Sequence, residues 1–146
     1  MSFKNTFTYL PEDHEAEAAS NSYLMSLLFI MAGLPLPIVN LIGTVIFFFS
    51  NRKSTYFVRW HCTQNLLSQL AIFLMNSVGF WWTISILFTN ESISNKYIAY
   101  IMVLLIFNLV EMITTIYAAI QTRKGFHIQW WFFASLTNLI CKADKS

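Results

Sequence analysis

The sequence predicts an all-α integral membrane protein, a helical bundle with three to four membrane helices, the first of them broken at Pro35 and Pro37. Three observations carry this reading. Residues 24–49 hold no charged side chain and stop just before Arg52 and Lys53. About 20 helical residues, rising ~1.5 Å each, cross a hydrocarbon core of about 30 Å, so the run is long enough to span. Two further long apolar runs follow it. Composition agrees, because 56% hydrophobic, 17% aromatic and only 11% charged residues leave too little polar surface to coat a water-soluble domain.

Residues 1–22 read as an acidic N-terminal tail carrying Glu12, Asp13, Glu15 and Glu17. They lack the basic start, apolar centre and small-residue cleavage site of a signal peptide, and are expected to stay on the mature protein. Pro11 followed by Glu12 and Asp13 suits the opening of a short helix, since carboxylates favour a helix N-terminus; an unstructured tail is the alternative. The membrane domain is expected over residues 23–141, with spans at about 24–50, 62–88 and 97–122.

In the first span Pro35 and Pro37 remove two backbone donors, so a kink or a re-entrant turn sits there and packs on protein rather than lipid. A single kinked helix is preferred, because residues 24–34 are too few to cross alone. The second span begins at the interface, with Tyr56 and Trp60 at one headgroup level and Trp81 and Trp82 at the other. The third is closed by Arg123, Lys124 and Gly125, a basic end followed by a helix-stopping glycine. Residues 126–141, short and aromatic, read as an interfacial or shallow fourth helix, and residues 142–146 as a basic C-terminal tail.

Basic residues set the expected orientation. With a single first span, Arg52, Lys53, Arg59, Arg123, Lys124, Lys142 and Lys145 share one side, and only Lys4 and Lys96 lie on the other. The positive-inside rule then gives a multi-pass protein of the cell inner membrane with a cytoplasmic C-terminus and the acidic N-terminus outside. A hairpin at Pro35 and Pro37 moves only the N-terminus. Cys62 and Cys141 fall near the reducing face, and their spacing supports neither a disulfide framework nor a metal site. Asn90-Glu91-Ser92 matches a glycosylation acceptor, a motif common by chance.

The chemically informative pattern is a polar stripe. At about 100° per residue, His61, Asn65, Ser68, Asn76, Gly79 and Thr83 gather on one face of the second span, flanked by Gln64 and Gln69. Asn108, Glu111, Thr115, Ala119 and Thr122 gather on one face of the third. Lipid satisfies none of these groups, so the stripes are expected to face each other, a partner or a water-filled cavity. Glu111 is the one carboxylate inside a predicted span, where a charge costs about 2.5–3.5 kcal/mol. It must be neutral, paired or solvated, as a hydrogen-bonding lock between helices or as a proton or ion relay; with no second intramembrane acid the lock is favoured. The expected helix–helix or partner interface is His61, Gln64, Asn65, Ser68, Asn76, Asn108, Glu111 and Thr115.

No nucleophile with its base, phosphate loop or extended basic tract is recognisable, so catalytic residues, cofactors, metals and nucleic acid are not expected. His61 and Gln64 beside Arg59 are the sole candidates for lipid chemistry at the interface, and they lack a paired acid.

The segment Phe57-Val58-Arg59-Trp60-His61-Cys62-Thr63-Gln64-Asn65-Leu66, after a proline-containing first span and a basic turn, resembles small bacterial membrane proteins distantly related to Tic-twenty. Tic-twenty is a subunit of the chloroplast inner-envelope import translocon. The resemblance extends over residues 24–132, including Tyr117-Ala118-Ala119 and Lys124-Gly125-Phe126. It departs at Cys62 or Asn65, where the family has a small residue, and at Gln129-Trp130-Trp131, where it has a proline. It implies four membrane helices and a part in protein translocation, and assigns no chemistry to His61 or Gln64.

The functional expectation is a non-enzymatic subunit or scaffold of a larger membrane complex. Its partners are the lipid bilayer and either other membrane subunits or a second copy, with translocation the role the resemblance implies. The alternative is a small transporter or channel in which Glu111 and the stripe from His61 to Asn76 line the pathway.

Overall fold

The computed structural model describes residues 2–3, 10–33, 37–89 and 92–141. Within these lie strand β1 (Ser2–Phe3) and helices α1 (Asp13–Gly33), α2 (Pro37–Asn51), α3 (Tyr56–Thr89) and α4 (Asn95–Arg123). Strand β2 (Ile128–Gln129) and helix α5 (Ala134–Ile140) complete the order. Pro35, the Asn90 and Glu91 pair of the glycosylation motif, and the tail at 142–146 lie outside the described residues.

Local chemistry sets the helix ends. The Glu12 backbone N–H donates to Glu15 Oε2 at 2.9 Å, the return half of a capping box, so the acidic segment opens α1 as a helix. Ser94 caps α4 by accepting the Tyr97 N–H at 3.2 Å. At the far end Gly125 takes φ +79°, and the N–H groups of Gly125 and Phe126 bond back to Thr122 and Gln121 carbonyls, which closes α4 in a Schellman turn.

Helices α3 and α4 run 34 and 29 residues and are the two described helices long and apolar enough to cross a membrane. They are antiparallel, as the pairings Ser68 with Glu111, Asn76 with Asn108 and Thr83 with Tyr97 show. Gly79 lets them close together, since a Cβ there would lie 2.8 Å from Leu104 Cδ1.

The first apolar run is not one kinked helix. Helix α1 runs parallel to α3, with Ala19 packed in the Phe57, Val58 and Cys62 cluster and Ser26 reaching Asn65 farther along. Helix α2 runs the other way, from Asn40 beside Gln69 back to Phe47 and Phe48 beside that same cluster. The two therefore form a hairpin, with Pro37 at the first position of α2, where its missing N–H costs nothing. At 15 residues, about 22 Å, α2 is too short to cross the hydrocarbon. The span expected at 24–50 is thus a hairpin lying against the first half of α3, and among the described residues α3 and α4 are the two helices both long and apolar enough to cross a membrane.

Because of the hairpin, the acidic N-terminus lies at the same end as the C-terminal segment, contrary to the single-span orientation. Glu17 pairs with Arg123 at 3.1 Å, and β1 pairs antiparallel with β2, Ser2 opposite Gln129 and Phe3 opposite Ile128. The segment expected as one interfacial helix at 126–141 consists of β2, a turn and the 7-residue α5. That short helix is held to the start of α3 by Trp60 Nε1–H donating to Asn138 Oδ1 at 2.7 Å and Tyr56 Oη–H donating to the Cys141 carbonyl at 3.2 Å.

Candidate functional site

Beside two small apolar clusters the interior holds many polar side chains, and the exterior of the long helices is apolar, the reverse of a water-soluble fold. His61, Gln64, Asn65, Ser68, Gln69 and Thr115 are buried, while Leu74, Trp81, Leu105 and Leu109 are more than half exposed along α3 and α4, up to 67% at Trp81. Together with the two crossing-length apolar helices, this makes the chain a membrane protein: lipid receives the apolar faces, and the polar groups satisfy one another inside.

Those polar groups form two clusters on α3. The first joins α1, α3 and β2 around Gln64. Gln64 Oε1 accepts the Trp130 backbone N–H at 3.0 Å, and Nε2 donates to the Ile128 carbonyl at 3.2 Å and to Tyr23 Oη at 3.1 Å. With both Gln64 protons committed, Tyr23 must turn its own proton to His61 Nδ1, 2.9 Å away. His61 is therefore the Nε2–H tautomer and donates to His127 Nδ1 at 3.3 Å. That leaves the His127 proton on Nε2; the Gln129 amide nitrogen 3.0 Å away can only donate, so this polarity requires the Gln129 amide turned to present its oxygen to that proton. Burial holds His127 down to about 4, which keeps it in the neutral form this chain of bonds requires. One turn along, Asn65 Nδ2 donates to the Ser22 carbonyl at 2.7 Å and Asn65 Oδ1 accepts from Ser26 at 3.3 Å. Ser20 donates to the Ala119 carbonyl at 2.9 Å, which ties α1 to α4 as well.

The second cluster is centred on Glu111. Its Oε1 accepts from Ser68 Oγ at 2.8 Å, Gln69 Nε2 at 3.0 Å and Thr115 Oγ1 at 3.4 Å. Gln69 Oε1 in turn accepts from Asn40 Nδ2, so the carboxylate is linked through one amide to α2. Asn40 Oδ1 is buried without a hydrogen-bond partner. Farther along, Asn76 and Asn108 exchange two amide bonds of 3.0 and 2.8 Å. Every one of the eight residues expected at an interface therefore bonds to another element of this chain or, for Thr115, to Glu111 on its own helix.

Sequence reasoning missed the partners on the hairpin and beyond α4, namely Tyr23, Ser26, Asn40, His127 and Trp130. Ala19, Tyr23 and Ser26 repeat at helical spacing, a signal the acidic tail obscured. His127 comes to His61 across a separation that no periodicity marks.

Residues 19–139 match the family model described as the magnetosome magnetite crystal formation protein family, MamF and MmsF. No curated protein and no solved structure matches the chain. The family match overturns the resemblance to the Tic-twenty group, since the matched region contains the whole His61 to Leu66 segment on which it rested, and nothing ties the chain to that translocon. The translocation role falls with it. The match covers most of the 146 residues, and the chain belongs to the magnetosome magnetite crystal formation protein family.

Proposed function

We propose that this chain is a non-enzymatic subunit of the membrane around the growing magnetite crystal, where it organises a larger membrane assembly with other subunits or a second copy of itself. The observation that carries the reading is where the reactive side chains go. His61, Gln64, Asn65 and Glu111 are bound up in hydrogen bonds between elements of the chain, so they build a frame rather than an active centre. The positive-inside rule supports a cytoplasmic C-terminus, with Arg52, Lys53, Arg123 and Lys124 at that end. The turn between α3 and α4 then faces the crystal compartment. The chain acts on crystal growth through the partners it gathers. Partners would meet the exposed lipid-side faces of α3 and α4, and the hairpin would supply a third, partial crossing.

A photo-reactive residue at Asn65 would sit in a fully buried position; Ile106, 58% exposed on α4, is the informative place. Adducts recovered from crystal-bearing membranes support the assembly. A chain that stays monomeric and unlinked in those membranes sinks it.

A small transporter is the second reading. It is favoured by one observation, the unpartnered Asn40 Oδ1 beside the Gln69 and Glu111 link, an oxygen that would suit a passing cation.

A further inference from the structure

We propose that the corner formed by the first turns of α3 and the outer face of α5 is a binding surface for anionic phospholipid headgroups. Three cations stand there. Arg52 and Lys53 lie in the turn leading into α3, and Arg59 lies in its first turn. The described ion pairs are Glu12 with His14 and Glu17 with Arg123, so among the described residues no carboxylate pairs with these three. Arg59 Nε is buried without a hydrogen-bond partner among the described residues, so its charge is not taken up by a described acceptor at that atom.

The apolar half of the surface comes from α5. Ala134 and Thr137 turn inward, and Leu136, Leu139 and Ile140 stand on the opposite face, 45%, 71% and 59% exposed. The bonds from Trp60 to Asn138 and from Tyr56 to the Cys141 carbonyl fix that face beside the start of α3, where Tyr and Trp mark the headgroup level of a membrane helix. A short apolar face at that depth enters the acyl boundary, continuous with the exposed apolar sides of α3 and α4. The sign of the headgroup follows from charge. At the same end of the bundle Glu17 pairs with Arg123, whereas among the described residues these three cations have no such counterion, and an anionic lipid supplies it.

The proposal rests on the reading of the chain as an integral membrane protein, and the two can fail separately. Retention in vesicles after alkaline carbonate extraction tests the first. For the second, the full chain is reconstituted in phosphatidylcholine with a trace of spin-labelled phosphatidylglycerol or spin-labelled phosphatidylcholine, and the motionally restricted fraction of each label is compared. The expected result is an association ratio of about threefold in favour of phosphatidylglycerol at low salt, falling toward one in R52Q/K53Q/R59Q. Because Arg59 is partly buried, R52Q/K53Q is measured alongside and must lower the ratio even where the triple variant misfolds. A ratio of one in the parent chain, or one that survives both variants, overturns the proposal. So does loss of the preference on adding millimolar inorganic phosphate at constant ionic strength, which would mark a site for the free anion instead.

Discussion

The Gln64 amide donates to the Tyr23 hydroxyl at 3.1 Å while its oxygen holds the Trp130 backbone N–H at 3.0 Å, and this pair of bonds fixes every proton from α1 to His127. A backbone N–H can only donate, so the orientation of the Gln64 amide is not free. The polarity then propagates through Tyr23 to both imidazoles. In labelled protein in detergent, His61 and His127 are each expected as the Nε2–H tautomer by long-range proton–nitrogen correlation. Tyr23→Phe removes the donor to His61 Nδ1, and its cost is expected at about 1–2 kcal/mol with the His61 tautomer signal broadened or inverted. An Nδ1–H signal for His61 in the parent chain would contradict the derived polarity.

Acid should loosen the same cluster. The ordinary value for histidine is 6.5, and burial lowers His127 to about 4 in the folded chain. Between these values the unfolded chain binds more protons than the folded one, so the stability contribution is complete above about 6.5 and lost as pH falls through 4. The loss from this group is about 3 kcal/mol at most. Geometry gives the reason: a second proton on His127 would set an N–H at Nδ1 against the His61 N–H. Thermal unfolding in detergent at stepwise lower pH is expected to show Tm declining below 6.5, with the decline shallower in His127→Asn. An equal decline in that variant would assign the acid sensitivity elsewhere.

Gln64→Leu keeps the volume and deletes all three amide bonds. It strands the Trp130 N–H and the Ile128 carbonyl, buried and unpaired, at an expected cost of about 2–4 kcal/mol. Because those two groups belong to the segment after α4, limited proteolysis should cut near residues 126–133 in the variant before α3 and α4 separate. Uniform resistance to protease would show that the segment is held mainly by Trp60 and Tyr56.

What the sequence made legible, and what it hid, follows from where each signal resides. Helices α3 and α4 were readable because their apolar runs, the glycine at 125 and the polar residues at helical spacing are all local. The facing of Asn76 with Asn108 and of Ser68 with Glu111 followed from that spacing. The hairpin was not readable, because two prolines two residues apart remove the same donors whether the chain kinks or reverses. Only packing against Phe57 and Cys62 decides between them. The first turns of α1 were hidden for a related reason. Ser20 and Ser22 look like solvated residues until Ala119 and Asn65 meet them, and contacts between distant segments leave no periodic trace.

Glu111 separates the structural from the permeation reading of this membrane protein. As a lock, its Oε1 needs only to accept from Ser68, Gln69 and Thr115, which a glutamine carbonyl also does. Glu111→Gln is therefore expected to change stability by no more than about 1 kcal/mol, whereas Glu111→Leu strands three donors and costs about 2–4 kcal/mol. Crystal size in cells complemented with each variant should follow stability, near normal for glutamine and reduced for leucine. A relay behaves otherwise, because an amide carries no exchangeable charge. If Glu111→Gln assembles at the parent level yet abolishes crystal growth, the carboxylate acts by titration or ion binding. The unpartnered Asn40 Oδ1 beside it then becomes the next position to change.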